Sequence, residues 1–260
     1  MKTIAFTAAI SSLALGAPSA YAASIVALTG DNSLVMLDTA QGTASSPTAV
    51  TGVEGRLLGI DVRPADGMLY GLFADGTIAT IDPASGAATK VDTLQMAPKG
   101  DNITVDFNPA ADALRIMSAD GTNLRTKITG GAVTEDGKHA FASGDMHEGE
   151  TPNIVAGAYT NSYAGTEQTA LYNIDATIDA LVQQAPPNDG TLKAIGKLGV
   201  DVDGNVGFDV QSDGQGGNEA WLMSGNKLYS VDLESGAAAE AATIEGVDGG
   251  VRDIAVLPAM

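Results

Sequence analysis

The sequence contains no cysteine, which removes the covalent reinforcement common in exported folds and several kinds of reactive site. Without thiols the chain can form no disulfide, no thiolate zinc site, no iron–sulfur cluster and no cysteine nucleophile. Its only histidines, His139 and His147, lie in a polar stretch, and we interpret them as surface-loop residues rather than as a metal pair. The fold must therefore be held by noncovalent packing.

Basic residues are scarce as well: 13 Lys and Arg stand against 32 Asp and Glu, for a formal net charge of −19. A chain this acidic repels DNA, RNA and anionic lipid, so we expect no nucleic-acid partner. Three catalytic motifs are also missing, namely the Gly-x-Ser-x-Gly nucleophile elbow, the phosphate-binding Gly-x-x-x-x-Gly-Lys loop and the His-Glu-x-x-His zinc helix.

Long hydrophobic runs are absent except at the start of the chain. Lys2 supplies a short positive region, Ile4 to Leu15 form an apolar run, and Ala20-Tyr21-Ala22 resembles a small-residue cleavage motif. The run is shorter than the roughly 20 residues that a spanning helix needs. We therefore predict a signal peptide at residues 1–22, export to the periplasm or the extracellular space, and no membrane insertion.

Glycine is abundant, with 32 Gly and 10 Pro spread along a chain that is 44% hydrophobic. This composition is typical of many short strands joined by tight turns. A strongly apolar strand recurs roughly every 50 residues, which is a period typical of repeat folds. These first strands are predicted at Leu57–Val62, Ile103–Phe107, Ile154–Thr160, Val206–Val210 and Val251–Leu257.

Three further strands complete each repeat, and four strands per repeat are the signature of a β-propeller blade. In the second repeat we predict the fourth strand at Ala132–Phe141. The fifth repeat is divided between the chain ends: Val251–Leu257 is its innermost strand, and Ser24–Leu28, Ser33–Leu37 and Thr48–Val53 are the others. The prediction is an all-β fold over residues 23–260: one monomeric five-bladed β-propeller of four-stranded blades, closed by pairing of its N- and C-terminal strands.

Five stretches carry a resemblance to a known family: Leu57-Leu-Gly-Ile-Asp-Val-Arg-Pro64, Val105-Asp-Phe-Asn-Pro109, Ala158-Tyr-Thr-Asn-Ser162, Ala185-Pro-Pro-Asn-Asp-Gly-Thr-Leu192 and Gly207-Phe-Asp-Val210. In these stretches the chain resembles the domain of unknown function 4394 family, and the resemblance extends over nearly the whole mature chain. The resemblance implies an exported bacterial protein with a propeller-like fold. It brings no assigned activity and no catalytic residues.

Three of the first strands carry an aspartate between large apolar residues, at Asp61, Asp106 and Asp209, and the predicted register places Tyr159 and Ala255 at the matching points of the other two. Carboxylates that meet in a propeller channel could act as acid, base or nucleophile of a glycoside hydrolase. The alternative is a structural role, in which each acid accepts hydrogen bonds between blades. The absence of Glu from the first strands and the 5% aromatic content argue against the hydrolase.

The loops that lead into the first strands should gather on one face rich in carboxylates and amides. There Asp201, Asp203 and Asn205 alternate in a way that suits Ca²⁺, which prefers oxygen ligands, although the closing Glu of an EF-hand loop is missing. Asp-Gly and Gly-Asn pairs are also favoured in two-residue hairpins, which offers a purely structural alternative.

Four residues are candidate ligand contacts: Arg56 and Arg252 are local counter-charges on the acidic loop face, and Tyr159 and Asn161 belong to an unusually polar stretch. We therefore expect an exported, non-enzymatic propeller whose acidic loop face binds a protein, a glycan or a metal ion. The alternative function is a secreted carbohydrate-active hydrolase that uses Asp61, Asp106 and Asp209.

Overall fold

The structure, a computed structural model, describes residues 23–100, 102–247 and 250–258. The predicted signal peptide at residues 1–22 lies outside the described residues. Five small sheets, each built mainly of antiparallel strands, contact one another through their innermost strands and form a ring. The predicted five-bladed β-propeller is confirmed. Within the described ranges no helix is long and apolar enough to cross a membrane.

Blades 1 to 4 follow one another along the chain, and blade 5 combines strands from both chain ends. The blade that contains both chain ends, blade 5, begins with β1 (Ser24–Thr29), β2 (Ser33–Asp38), β3 (Thr43–Ala44) and β4 (Thr48–Ala49). Blade 1 consists of β5 (Leu57–Val62), β6 (Leu69–Phe73), β7 (Thr77–Ile81) and β8 (Ala88–Thr93). Blade 2 consists of β9 (Thr104–Asn108), β10 (Ala113–Met117), β11 (Asn123–Thr126) and β12 (Val133–Glu135).

The second half of the ring has the same plan. Blade 3 consists of β13 (Ala140–Phe141), β14 (Ile154–Tyr159), β15 (Leu171–Asp175), β16 (Ala180–Gln184) and β17 (Thr191–Lys197), with a short 3-10 helix at Pro187–Asp189. Blade 4 consists of β18 (Val206–Ser212), β19 (Asn218–Ser224), β20 (Lys227–Val231) and β21 (Ala238–Thr243). The last strand, β22 (Val251–Leu257), returns to blade 5.

Blade 5 closes the ring by joining the two ends of the chain. Strand β22 pairs antiparallel with β1, so that Leu257 lies opposite Ser24 and Ile254 opposite Ala27. The order in this sheet is β22, β1, β2, β3. The pairing confirms the predicted closure, and it covers edges that would otherwise be free to pair with another chain.

The hydrophobic core lies between the blades. The innermost strands β5 and β14 are buried at every residue, because both faces of such a strand pack against neighbouring blades. This explains why they read as continuous apolar runs rather than as alternating patterns. The outermost strands β8 and β21, by contrast, are largely exposed. The innermost strands contact one another around the axis of the ring, and we call the space that they enclose the channel.

The fourth strand predicted at Ala132–Phe141 is wrong as a single element. Val133–Glu135 stays in blade 2, whereas Ala140–Phe141 crosses to blade 3 and pairs in parallel with Thr191 and Leu192. The strand ends at Glu135 because the next residue, Asp136, turns inward to a buried ion pair with Arg115 at 2.7 Å.

The fourth strand predicted for blade 5 at Thr48–Val53 also differs from the structure. Two two-residue strands, β3 and β4, both pair with β2. Pro47 separates them from each other, and proline has no N–H to donate to a strand ladder. The outer edge of this blade is therefore interrupted.

Candidate functional site

Four aspartates on the innermost strands join neighbouring blades through hydrogen bonds. Each carboxylate accepts the backbone N–H of a residue on the next innermost strand: Asp61 from Phe107 at 2.6 Å, Asp106 from Tyr159 at 2.9 Å, Asp209 from Val256 at 2.6 Å and Asp253 from Ile60 at 2.9 Å. An innermost strand has no ladder partner on its channel side, so these N–H groups need another acceptor. The aspartates supply it, which supports the structural role foreseen for Asp61, Asp106 and Asp209.

The hydrogen bonds also define the register between blades. The Asp61 carboxylate accepts the N–H of Phe107, which directly follows Asp106. The Asp106 carboxylate accepts the N–H of Tyr159 in the same way, so the residue of blade 3 at the position of the aspartates is the one before Tyr159, namely Ala158. The predicted match at Tyr159 is therefore wrong by one residue. The predicted match at Ala255 agrees with the bond from Val256 to Asp209.

Three of these acids converge in the channel. One carboxylate oxygen from each of Asp61, Asp106 and Asp209 lies within 4.8 Å of those of the other two. The three residues, which we call the channel triad, are between 4% and 6% exposed. Among the residues that the structure describes, no other group of three or more His, Cys, Asp or Glu side chains is placed so closely.

Burial makes the channel acids hard to ionise. It raises the pKa of Asp61 and of Asp106 well above the usual range, and repulsion between the carboxylates raises both further. Burial also raises the pKa of Asp209 to about 6. No ion pair in the described part of the chain involves any of these acids. The channel therefore favours bound protons or another positively charged ligand.

Asp253 was missed in the sequence. It lies on β22, two residues before the point that matches the triad, so the repeated apolar-Asp-apolar pattern did not include it. Burial raises the pKa of its carboxyl group as well. The sequence feature that indicates Asp253 is its position inside a predicted innermost strand, next to Ile254.

A pocket of about 750 Å³ opens where the innermost strands end. We call it the mouth pocket. It reaches Asp61 and Asp209 of the channel triad, and no basic residue lines it. Its other polar lining residues come from loops and strand ends of blades 3 and 4: Ser162, Tyr163, Gln211, Ser212, Asp213, Asn218 and Glu219.

The predicted acidic loop face lies at the opposite end of the channel. Arg56, Arg252 and Asn205 line a cavity there of only about 20 Å³, close to the space of a single water molecule. Arg252 donates hydrogen bonds to the carbonyl groups of Gly30, Asp31 and Leu57, so its guanidinium is already occupied.

The residues predicted to bind Ca²⁺ lie in an exposed turn at this same end. The side chains of Asp201 and Asp203 are exposed, and the carboxylate of Asp203 accepts the N–H of Asn205 at 3.2 Å. That bond is the local turn chemistry considered as the alternative. Calcium binding by this turn stays a prediction.

Tyr159 and Asn161 occupy different surroundings. Tyr159 is 1% exposed, and its hydroxyl accepts a hydrogen bond from Arg115 at 3.1 Å, which places the phenol between blades 2 and 3. Asn161 pairs with Asn218, whose Oδ1 accepts the Asn161 N–H at 2.7 Å and whose Nδ2 donates to the Asn161 Oδ1 at 2.9 Å. This pair joins blades 3 and 4 at the rim of the mouth pocket, where Ala158 leaves no carboxylate to do so.

Comparison with known proteins identifies a family and adds no activity. No curated protein matches the chain. One similar solved structure is a structural genomics protein of unknown function from Bacteroides thetaiotaomicron VPI-5482, at 16% identity and a TM-score of 0.48. The match covers 85% of this chain and 58% of that one, so this chain spans a little over half of its length. The family described as "Domain of unknown function (DUF4394)" matches residues 33–255. Since that match takes in most of the chain, the protein belongs to the DUF4394 family.

Proposed function

We propose that this protein is an exported, non-enzymatic β-propeller that binds a small hydroxylated ligand, of the glycan class, in the mouth pocket. The observation that carries the proposal is the pocket itself. Its volume of about 750 Å³ falls within the roughly 300–1,000 Å³ typical of small-molecule sites. The cavity at the other end of the channel is too small for such a ligand.

The lining of the mouth pocket suits sugar hydroxyl groups. Glu219 and Asp213 offer hydrogen-bond acceptors, whereas the amide of Gln211 offers both donors and an acceptor. Tyr163 adds an aromatic ring that can pack against the C–H face of a sugar. Because no basic residue lines the pocket, it disfavours phosphorylated and other anionic ligands.

A binding role also agrees with the state of the channel carboxylates. Both oxygens of Asp61 accept backbone N–H groups, from Val62 and from Phe107. Asp209 is held in the same way by Val210 and Val256. Groups fixed by two backbone hydrogen bonds are suited to hold a structure together, and binding requires no proton transfer from them.

A carbohydrate-active hydrolase is the second candidate, favoured by one observation. Asp61 and Asp209 both border the mouth pocket, and burial raises the pKa of Asp209 to about 6. A carboxyl group with such a pKa can serve as a general acid near neutral pH. Under this alternative Asp209→Asn would abolish turnover while leaving saccharide binding in place.

The test is a screen of neutral and acidic mono- and disaccharides by ligand-observed NMR, followed by calorimetry and by chromatography of the products. We expect binding of neutral sugars without cleavage, and at least about tenfold weaker binding after Glu219→Gln or Tyr163→Ala. Glu219 has no ion-pair partner among the described residues, so its loss should leave the fold intact.

The matched control is Glu234→Gln, which removes one exposed carboxylate from the turn between β20 and β21. The affinity of this variant for sugar should equal that of the parent protein. Sugar binding that is unchanged in both pocket variants, or no binding by any sugar of the panel, would overturn the proposal. Cleaved products that disappear with Asp209→Asn would establish the hydrolase instead.

A further inference from the structure

We propose that the channel triad of Asp61, Asp106 and Asp209 binds one divalent cation, and that Ca²⁺ fits it best. The site adjoins the mouth pocket, but it depends on other side chains than Glu219 and Tyr163. The inference therefore goes beyond the proposed function and stands or falls separately from it.

The spacing of the carboxylates suits a single ion. Three oxygens no more than 4.8 Å apart can all lie within about 2.8 Å of one central point, which is slightly above the 2.3–2.6 Å typical of Ca²⁺–oxygen contacts. Small side-chain rotations would bring all three into contact. Mg²⁺ requires about 2.0–2.1 Å and strict octahedral geometry, so the larger ion needs less rearrangement.

The carboxylates retain free acceptor capacity despite their backbone hydrogen bonds. Each ionised carboxylate offers about four lone-pair sites, and Asp61 and Asp209 each use two of them for backbone N–H groups. In the described structure Asp106 accepts only the N–H of Tyr159, through Oδ1. Asp106 is therefore the least occupied member of the triad.

A second observation, independent of the acids, also indicates a ligand. Thr104 is 2% exposed, and its buried Oγ1 has no hydrogen-bond partner within the described residues. It lies two residues before Asp106 on β9, so both side chains leave the strand on the same face. A buried hydroxyl without a partner is unfavourable, and Ca²⁺ accepts neutral oxygens alongside carboxylates. Two residues along a strand span roughly 6.6 Å, so the Thr104 hydroxyl lies deeper in the channel than the triad, where it can accept a hydrogen bond from a water molecule bound to the ion.

Charge and access favour the same conclusion. The triad and Asp253 place four carboxylates in the channel, and the nearest base in the sequence, Arg252, is bound to backbone carbonyls instead. A bound cation would offset the negative charge that these carboxylates carry when they are ionised. The mouth pocket reaches Asp61 and Asp209, which gives the ion a route from solvent.

The experiment is a calcium titration of chelator-treated protein by calorimetry, in the absence of sugar. We expect one ion per chain. Asp106→Asn should weaken binding by at least about 30-fold, because it removes one charged ligand. The asparagine oxygen can still accept the Tyr159 N–H, so the fold should remain. Thr104→Val, which keeps the shape of the side chain, should weaken binding by about threefold or more.

A second readout uses the single tryptophan of the chain. Trp221 lies directly opposite Asp209 in the pairing of β18 and β19. Tb³⁺ bound in the triad should therefore luminesce when Trp221 is excited, and added Ca²⁺ should displace it. This signal should disappear in Trp221→Phe while calorimetric Ca²⁺ binding persists.

Asp203→Asn is the matched control, since it removes one acid from the turn at the other end of the channel. It should bind Ca²⁺ as the parent protein does. Loss of binding in Asp203→Asn but not in Asp106→Asn would place the ion in that turn and overturn the proposal. Absence of binding at millimolar Ca²⁺ would overturn it as well, whatever the result of the sugar screen.

Discussion

His139 is buried in the segment that crosses from blade 2 to blade 3, and neither ring nitrogen has a hydrogen-bond partner within the described residues. Burial and the nearby guanidinium of Arg115 together lower the pKa of its imidazole to about 4, although Asp120 opposes the shift. The ring is therefore neutral and unsatisfied at pH 7. Such a residue weakens the folded state.

We expect His139→Leu to stabilise the protein by about 1 kcal/mol at pH 7, because it replaces unsatisfied polar atoms with apolar ones. Between pH 6.5 and about 4 the unfolded chain binds a proton at His139 and the folded protein does not. The parent protein therefore loses stability as pH falls through this window, and the advantage of the variant grows. Urea unfolding of both proteins at pH 7, 5.5 and 4.5 measures the difference in their unfolding free energies. A difference that does not change with pH would contradict the lowered pKa of His139.

Asp61 and Asp106 differ in how many backbone groups depend on them. Asp61→Asn must turn its amide NH₂ toward one of two buried N–H groups, so we expect a loss of about 1–3 kcal/mol in unfolding free energy. Asp106→Asn can keep its one hydrogen bond and should lose clearly less. Urea unfolding of both variants in the presence of a chelator tests this contrast. Equal losses would mean that Asp106 also has a second structural partner.

At the scale of strands, glycine allows the innermost strands to approach one another. A Cβ at Gly207 of β18 would lie 2.6 Å from the backbone nitrogen of Ile254 on β22. At Gly59 of β5 it would lie 2.9 Å from the carboxylate of Asp253 and 3.0 Å from the side chain of Val105. The first contact is with backbone and the second with side chains that can rotate.

We therefore expect Gly207→Ala to destabilise the fold more than Gly59→Ala. Forcing a methyl group against a packed strand typically costs about 1–3 kcal/mol, and Gly207→Ala should reach the upper part of that range. Thermal and urea unfolding of the two variants provide the comparison. If Gly59→Ala were the more damaging change, the Asp253 carboxylate would have to be more rigid than β22 itself.

The contrast between inner and outer strands explains what the sequence could predict. Innermost strands are largely buried, so their apolar runs predict the exact bounds of β5 and β22 and the bounds of the other three innermost strands to within two residues. Half of the residues in Ala132–Phe141 are polar, and the division of this segment between two blades depends on the turn at Asp136, which pairs with Arg115 from another strand. Such long-range partners leave no local pattern.

The sequence predicted individual residues of the candidate site but not their arrangement. The three acids of the channel triad were visible as Asp residues flanked by apolar ones, but their separation depends on the register between blades, which packing determines. The mouth pocket was missed because its loops after the innermost strands, such as the one with Pro64 and Gly67, read only as turns. Asp253 was missed because it occupies a different level of the channel.

The whole ring depends on the junctions between its five blades. Aspartates join four of them, and Asn161 with Asn218 joins the remaining one, between blades 3 and 4. The junction between blades 4 and 5 depends on β22, which also carries Asp253 toward blade 1. Both neighbours of blade 5 therefore depend on the last strand.

A circular permutant tests whether the order of the strands or only their closure matters. Ser24 lies opposite Leu257, so a short Gly-Ser hairpin can join Pro258 to Ala23, and new ends can be placed between Glu54 and Gly55 in an exposed loop. No blade would then be divided between the chain ends. We expect the permutant to fold as a monomer with an unfolding free energy within about 2 kcal/mol of that of the parent protein, because no strand pairing is lost.

Deletion of residues 250–260 should instead leave β1 as a free edge and produce aggregates. Size-exclusion chromatography and urea unfolding distinguish these outcomes, and a soluble, cooperatively folded deletion variant would show that β22 is not required to close the ring.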